Sequence, residues 1–253
     1  MIFISPTQDE KFRRCQRLIG YEYVERIAPP TTTKQGFGTE VHAELAEWLS
    51  RGKMPSDTPA GLTARQGIRN NWLPSPSTEL LVEHDFDISV APQIRLRGII
   101  DCLIPGKIPV IIDHKTTSDL KWTKTQNDLA KDSQAIIYSV YAALKFQSSQ
   151  VRARWVYYSS SNPENGQRKP TGAKAVEVLF EIGSPEFISE WDRICADVNR
   201  ISEIRLQGLH AAELEPSPQS CDAFGGCFFQ SRCQLTGEDL LVSAIKQEER
   251  KSK

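Results

Sequence analysis

The stretch "VIIDHKTT", residues 110–117, decides how the rest of the chain is read. Its apolar residues and threonines suit a buried strand, yet Asp113, His114 and Lys115 interrupt it. Side chains alternate along a strand, so Asp113 and Lys115 point to one face. Upstream, "QIRLRGIID" (93–101) reads as the preceding strand and ends on Asp101. If the two strands fold back about Lys107, residues 101 and 113 are equally far from the turn and stand opposite or nearly opposite each other. Two carboxylates and one ammonium then share a small patch. Carboxylates that close repel unless a cation sits between them, and such oxygens suit Mg²⁺ or Mn²⁺. A lysine beside the ion can assist a water or steady charge on a phosphate. These are the parts of phosphodiester hydrolysis. The plainer alternative is an Asp–Lys pair at a solvated strand edge.

Further out, "ELLVEHDFDI" (79–88), "RARWVYYSS" (152–160) and "KAVEVLFEI" (174–182) read as strands. "NDLAKDSQAIIYSVYAALKF" (127–146) reads as one helix with Ile136, Ile137, Val140, Tyr141 and Leu144 facing inward. "GTEVHAELAEWLSRG" (38–52) is a helix ending at Gly52, and residues 53–78 are loops around a short helix. Ser5-Pro6 starts a helix bearing Cys15. Ser184-Pro185 starts a long one with Phe187, Trp191, Ile194, Val198 and Ile201 at helical spacing. Strands, a crossover helix and more strands predict an α/β fold: a mixed sheet flanked by helices.

The chain has 253 residues, which fits one large domain over 1–240 followed by a charged tail, 241–253. A net charge of −1 excludes a globally basic nucleic-acid binder and leaves room only for local patches. No run approaches the roughly 20 apolar residues that span a bilayer, and the N-terminus does not read as a signal peptide. The expectation is a cytoplasmic protein with no membrane partner, whose six cysteines are thiols or metal ligands.

Taken in order, "GTEVH", "GIID", "DHK" and "QAIIY" resemble the PD-(D/E)XK nuclease superfamily in its RecB-like branch. That branch pairs an upstream histidine, a G-x-x-D strand, a D/E-x-K strand and a Q-x-x-x-Y helix; Ile100-Asp101 stands where its "PD" would be. The resemblance implies a restriction-endonuclease-like fold in which His42, Asp101 and Asp113 hold Mg²⁺ or Mn²⁺. The backbone carbonyl of His114 adds a ligand and Lys115 is the catalytic lysine. Gln134 and Tyr138 contact the DNA backbone and brace the site. Glu83 is a lesser candidate for a second metal or DNA contact, with a solvated strand carboxylate as the favoured reading.

Cys221, Cys227 and Cys233 stand in "CDAFGGCFFQSRC", spaced C-x5-C-x5-C. With Cys15 they make four thiolates, enough for a [4Fe–4S] cluster or a zinc site. Cluster-bearing relatives of the branch place one cysteine on the first helix and three near the C-terminus, which puts the cluster ahead of zinc. Two departures stand out. Their first gap is C-x2-C, where this chain has five residues including Gly225-Gly226, and Gln16 follows Cys15 where proline is usual. Cys102 and Cys195 read as small core residues.

Arg95 and Arg97 on one strand, and Lys121, Lys124 and Lys131 after the catalytic strand, are candidate DNA contacts. Trp122 could stack on a base or pack at the rim. His84 and His210 have no partner nameable from sequence. The expected function is a metal-dependent exonuclease acting on single-stranded DNA or free ends. Its relatives serve CRISPR adaptation, phage DNA metabolism or recombination beside an integrase, a helicase or a phage protein. The alternative is a catalytically silent DNA-end-binding module that acts through a partner complex.

Overall fold

The computed structural model describes residues 1–30, 33–161, 168–222 and 226–233; Gly225 and the predicted charged tail lie outside them. Strand β1 (Ile2–Ile4) leads into helix α1 (Pro6–Arg14). The Ser5 side chain accepts the N–H of Gln8, and Pro6 fills the first helical position, where no N–H is needed. Helix α2 (Gln16–Ile19) and a π-turn over Gly20–Val24 follow. Helix α3 (Thr33–Arg51) carries "GTEVH", begins earlier than its sequence pattern suggests, and ends at Gly52, whose left-handed φ of 69° favours a residue without a Cβ. Helix α4 (Pro59–Arg69) is capped by Thr58.

Strands β2 (Leu81–Ala91), β3 (Ile94–Ile104) and β4 (Val110–Thr117) come next. Cys102 lies opposite Ile112, Leu103 opposite Ile111 and Ile104 opposite Val110 in an antiparallel pair, the register of a fold-back about Lys107. The chain then crosses over through helices α5 (Gln126–Ala130) and α6 (Ser133–Phe146) and returns as strand β5 (Gln150–Ser160), parallel to β4. Strand β6 (Pro170–Glu181) pairs antiparallel with β5. Among the described residues the sheet is six-stranded and mixed, in the order β1-β3-β4-β5-β6 with β2 also on β3. Helix α7 (Pro185–Gln207) follows.

The single helix expected over 127–146 is two. Asp132 accepts the N–H of Ala135 and so starts α6, while Thr125 and Asp128 cap α5 reciprocally. Ile136 and Ile137 are fully buried as predicted, but Leu144 is 66% exposed. The buried Ala142 and Ala143 take the inward positions of that last turn instead.

The chain divides into two compact units. One comprises Thr31–Ile88 and Leu96–Asp192. In it, α3 and α4 pack on one face of the sheet, where Val41, Leu45, Ala64, Cys102, Ile112, Val156 and Tyr158 form a core cluster. The other face meets α6, with Tyr138 and Trp155 ring centroids 6.5 Å apart. The other unit comprises Met1–Pro30, Ser89–Arg95 and the described residues from Arg193 on. Its core joins Leu18, Tyr21, Ala211 and Phe229, with the Tyr21 and Phe229 rings stacked at 4.5 Å. A Cβ on Gly20 would meet the Ala211 backbone at 2.7 Å, so only glycine permits that approach. No helix among the described residues is long and apolar enough to cross a membrane.

Candidate active site

Three strands and two helices of the larger unit build the site. One pair beyond the Cys102–Ile112 match, the His114 N–H donates to Oδ2 of Asp101 at 2.7 Å. The other oxygen of Asp101 lies 3.5 Å from Nδ1 of His42, on α3. Glu83, on β2, completes the group: one donor atom from each of His42, Glu83 and Asp101 lies within 4.8 Å of the others.

Plain strand alternation would put Glu83 with Asp85 and Asp87, away from the core residues Phe86 and Ile88. A left-handed φ of 48° at Glu83 breaks that alternation. Glu83 is exposed, as the favoured sequence reading of a solvated strand carboxylate has it, and it also stands beside His42 and Asp101.

Asp113 is 2% exposed and faces α6. Its Oδ1 accepts from Gln134 Nε2 at 2.9 Å, and its Oδ2 pairs with Lys115 Nζ at 2.7 Å. The same Gln134 accepts from Lys115 Nζ through Oε1 at 2.8 Å, and its Nε2 lies 2.7 Å from the Tyr138 hydroxyl. Tyr138 in turn donates to the Ile99 carbonyl at 2.6 Å. Because Gln134 and Tyr138 lie four apart on α6, one helical face supplies both. Tyr138 is only 3% exposed with its hydroxyl committed to the Ile99 carbonyl of β3, which leaves little of it to meet the DNA contact expected of it.

His114 points the other way along β4, into the core under α3 and α4. It is 2% exposed, its Nδ1 is 3.2 Å from the Tyr158 hydroxyl, and its ring meets His42 edge-on at 5.8 Å. Gly67 makes room there, since a Cβ would fall 2.5 Å from that hydroxyl. Burial pulls the His114 imidazole down to about 4, so it is neutral.

The electrostatics are those of a site built for positive charge. Burial, with repulsion from Asp101, pushes the Asp113 carboxyl up to about 7 against the pull of Lys115. Burial and Asp101 also raise Glu83. Burial works against the Lys115 ammonium, but the Asp113 charge and hydrogen bond outweigh it and raise its pKa. Burial would likewise lower His42, yet the hydrogen bond and charge of Asp101 raise it. Mg²⁺ takes oxygen ligands at about 2.1 Å in octahedral geometry, so its ligands stand about 3–4.2 Å apart. A His–Glu–Asp set within 4.8 Å fits such an ion.

A profile of the PD-(D/E)XK nuclease superfamily matches residues 64–234. The chain belongs to the PD-(D/E)XK nuclease superfamily. The mixed sheet with flanking helices is the restriction-endonuclease-like fold of that superfamily, and membership makes the chain a metal-dependent nuclease by family. A candidate exonuclease from Eubacterium rectale has a similar fold, with a TM-score of 0.53 at 12% identity over 92% of this chain and 89% of that one. A phage-related exonuclease from Haemophilus somnus 129PT aligns over 76% of this chain and 94% of its own, at 13% identity and a TM-score of 0.32. No curated protein matches the sequence significantly.

The remaining predicted residues of this superfamily member divide as follows. Arg97 is exposed and pairs with Asp87 at 3.1 Å, while Arg95 belongs to the smaller unit. Lys121 pairs with Asp119 at 3.2 Å and Lys124 with Asp132. His84, for which the sequence named no partner, has Nε2 2.8 Å from the Tyr141 hydroxyl, and His210 lies 3.8 Å from Glu25. Within the smaller unit, Cys15, Cys221, Cys227 and Cys233 line one cavity with Arg14, Arg17, Tyr21 and Phe229. Arg17 donates to the Cys233 sulfur at 3.1 Å.

Proposed function

We propose that this chain is a DNA exonuclease that needs Mg²⁺ or Mn²⁺ and acts on single strands or free ends. The observation that carries the reading is the convergence of His42, Glu83 and Asp101 beside the Asp113–Lys115–Gln134 network. His42, Asp101 and Asp113 would hold the ion together with the His114 carbonyl, with Glu83 beside His42 and Asp101 as a further ligand. The ion supplies Lewis acidity and a water of lowered pKa. Lys115, kept protonated by Asp113, places its ammonium where charge grows on the phosphate and on the attacking oxygen. Gln134 hydrogen-bonds both Lys115 and Asp113, and Tyr138 links Gln134 to β3. Arg97, Lys121 and Lys124 lie on the same unit and are proposed phosphate contacts, with Arg95 on the continuation of β3. The exonuclease description of the Eubacterium rectale fold neighbour favours end-directed cleavage.

The cysteine cavity is read as the seat of a [4Fe–4S] cluster. Tetrahedral zinc needs its sulfurs about 3.8 Å apart, from Zn–S bonds of about 2.3 Å. The four cysteines line one cavity, as either group requires, and the resemblance puts the cluster ahead of zinc. The family match runs through both units, which favours reading 1–240 as one nuclease domain. Pairing with an integrase, helicase or phage recombination protein in the cytoplasm remains part of the proposal by resemblance.

The test is cleavage of end-labelled single-stranded and duplex DNA with Mn²⁺, with 5′ and 3′ blocks and product length as the readout. Successive loss of terminal nucleotides, abolished by Asp113→Asn and by Lys115→Met, is expected. DNA binding without any cleavage would favour the silent end-binding module instead.

A further inference from the structure

Strand β4 does not end in an ordinary loop. Thr117 accepts the Asp119 N–H at 3.2 Å and donates to its carbonyl at 2.9 Å, and Asp119 then caps a 3-10 turn over Leu120–Trp122 through the Lys121 N–H at 2.9 Å. The turn is anchored from β6 as well. Lys174 donates to the Thr123 hydroxyl at 3.1 Å, and a Cβ on Gly172 would lie 3.3 Å from Leu120. On this fixed turn Trp122 stands 70% exposed, with the Lys121 ammonium 5.1 Å from its ring centre. Lys124 follows and is tied to Asp132, the residue that starts α6 just ahead of Gln134.

A tryptophan is the costliest side chain to leave in water, and an isolated exposed one needs no explanation. This one differs in three respects: it is held rigidly, it has lysines on both sides, and it lies seven residues beyond Lys115 on a turn hydrogen-bonded to the end of the catalytic strand. An exposed aromatic face among cations is how proteins bind single-stranded nucleic acid without sequence preference, because every base offers a π-face to stack on. We propose that Trp122 is a stacking platform for an unpaired base of the strand being cut, with Lys121, Lys124 and Lys174 beside the adjoining phosphates. This rests on the nuclease reading above and names its substrate class: DNA with unstacked bases next to the scissile bond. Asp119 and Asp132 hold Lys121 and Lys124 in position, so the indole carries the contact and the lysines set its surroundings.

The experiment is fluorescence anisotropy with labelled oligothymidylate and, separately, an abasic tract of equal length, without divalent cation so that nothing is cut. Wild type, Trp122→Ala and Trp122→Phe are compared. The alanine variant should bind oligothymidylate about tenfold more weakly, the phenylalanine variant should recover most of that loss, and the abasic tract should not distinguish the three. Equal binding of oligothymidylate by all three overturns the stacking role while leaving the nuclease reading intact, and would make Trp122 a protein-docking residue. A loss by the alanine variant that is the same on the abasic tract also overturns it, since no base is then being sensed. Failure of the wild type both to bind and to cleave DNA overturns the inference and the nuclease reading together.

Discussion

The backbone N–H of His114 donates to the carboxylate of Asp101 at 2.7 Å, just past the last matched pair of the two strands. One oxygen of Asp101 is thereby occupied in fixing β4, and the other faces His42. Asp101 thus has a structural duty and a charge duty, and two substitutions separate them. Asp101→Asn keeps an acceptor for the amide, whereas Asp101→Ala leaves a buried N–H unpaired at a cost of about 1–3 kcal/mol. Chemical denaturation should show the alanine variant less stable by that amount and the asparagine variant much less affected, with metal-dependent cleavage lost in both. Equal stability of the two variants would remove the structural role.

Glu83 offers the sharpest test of the metal site, because only its unusual backbone brings it there. Glu83→Gln removes the charge and keeps the shape. The Mn²⁺ concentration giving half-maximal cleavage should rise by about tenfold or more. A variant activated by the same Mn²⁺ concentration as wild type would place Glu83 outside the metal's reach.

As a proposed metal ligand, His42 should set the pH dependence of metal uptake. Its pKa lies above the usual 6.5, since Asp101 outweighs the effect of burial. A raised pKa means that the ring still holds a proton just above pH 6.5, and a metal ligand must be neutral. Mn²⁺ binding near pH 6.5 should therefore release protons, and affinity should climb as pH rises through and beyond that value. Calorimetry in two buffers of different ionisation enthalpy measures the release. His42→Asn should abolish its share, and an unchanged proton count would refute the assignment.

Lys115 and Gln134 should act as one unit. Gln134 is the only side chain that hydrogen-bonds both Asp113 and Lys115 among the described residues. Gln134→Ala should lower the cleavage rate by about 10²- to 10⁴-fold, the range of a misplaced acid–base group, with little change in melting temperature. Combining it with Lys115→Met should add almost nothing, because both remove the same placement.

The cysteine cavity gives a prediction independent of catalysis. Cys15→Ser and Cys233→Ser should each lose iron and acid-labile sulfide together and lower the melting temperature by several degrees, because ligand binding energy is folding energy in such a site. Zinc without iron in the purified wild type would replace the cluster by the smaller ion.

Much of the fold was legible where local chemistry is decisive. Ser5 and Pro6 start α1, Gly52 ends α3, and the symmetry of residues 101 and 113 about Lys107 gives the hairpin register seen in the Cys102–Ile112 pair. These depend on neighbours in sequence, so the residues carry the signal themselves. The break at Asp132 was not legible in the apolar stripe, because a helix cap and the run that follows it look continuous in hydrophobicity.

For the site, strand alternation put Asp113 and Lys115 on one face and helical spacing put Gln134 and Tyr138 on one face, while His42 and the roles expected of the set came from the resemblance to the superfamily's motifs. Tertiary structure alone decided which of them meet. A positive φ turns Glu83 toward His42 and Asp101, burial commits Tyr138 to β3, and the end of β4 leaves Trp122 in solvent. The physical reason is that alternation and periodicity set only the direction of a side chain, while what it touches depends on elements far away in the chain and on backbone torsions that no single residue type imposes.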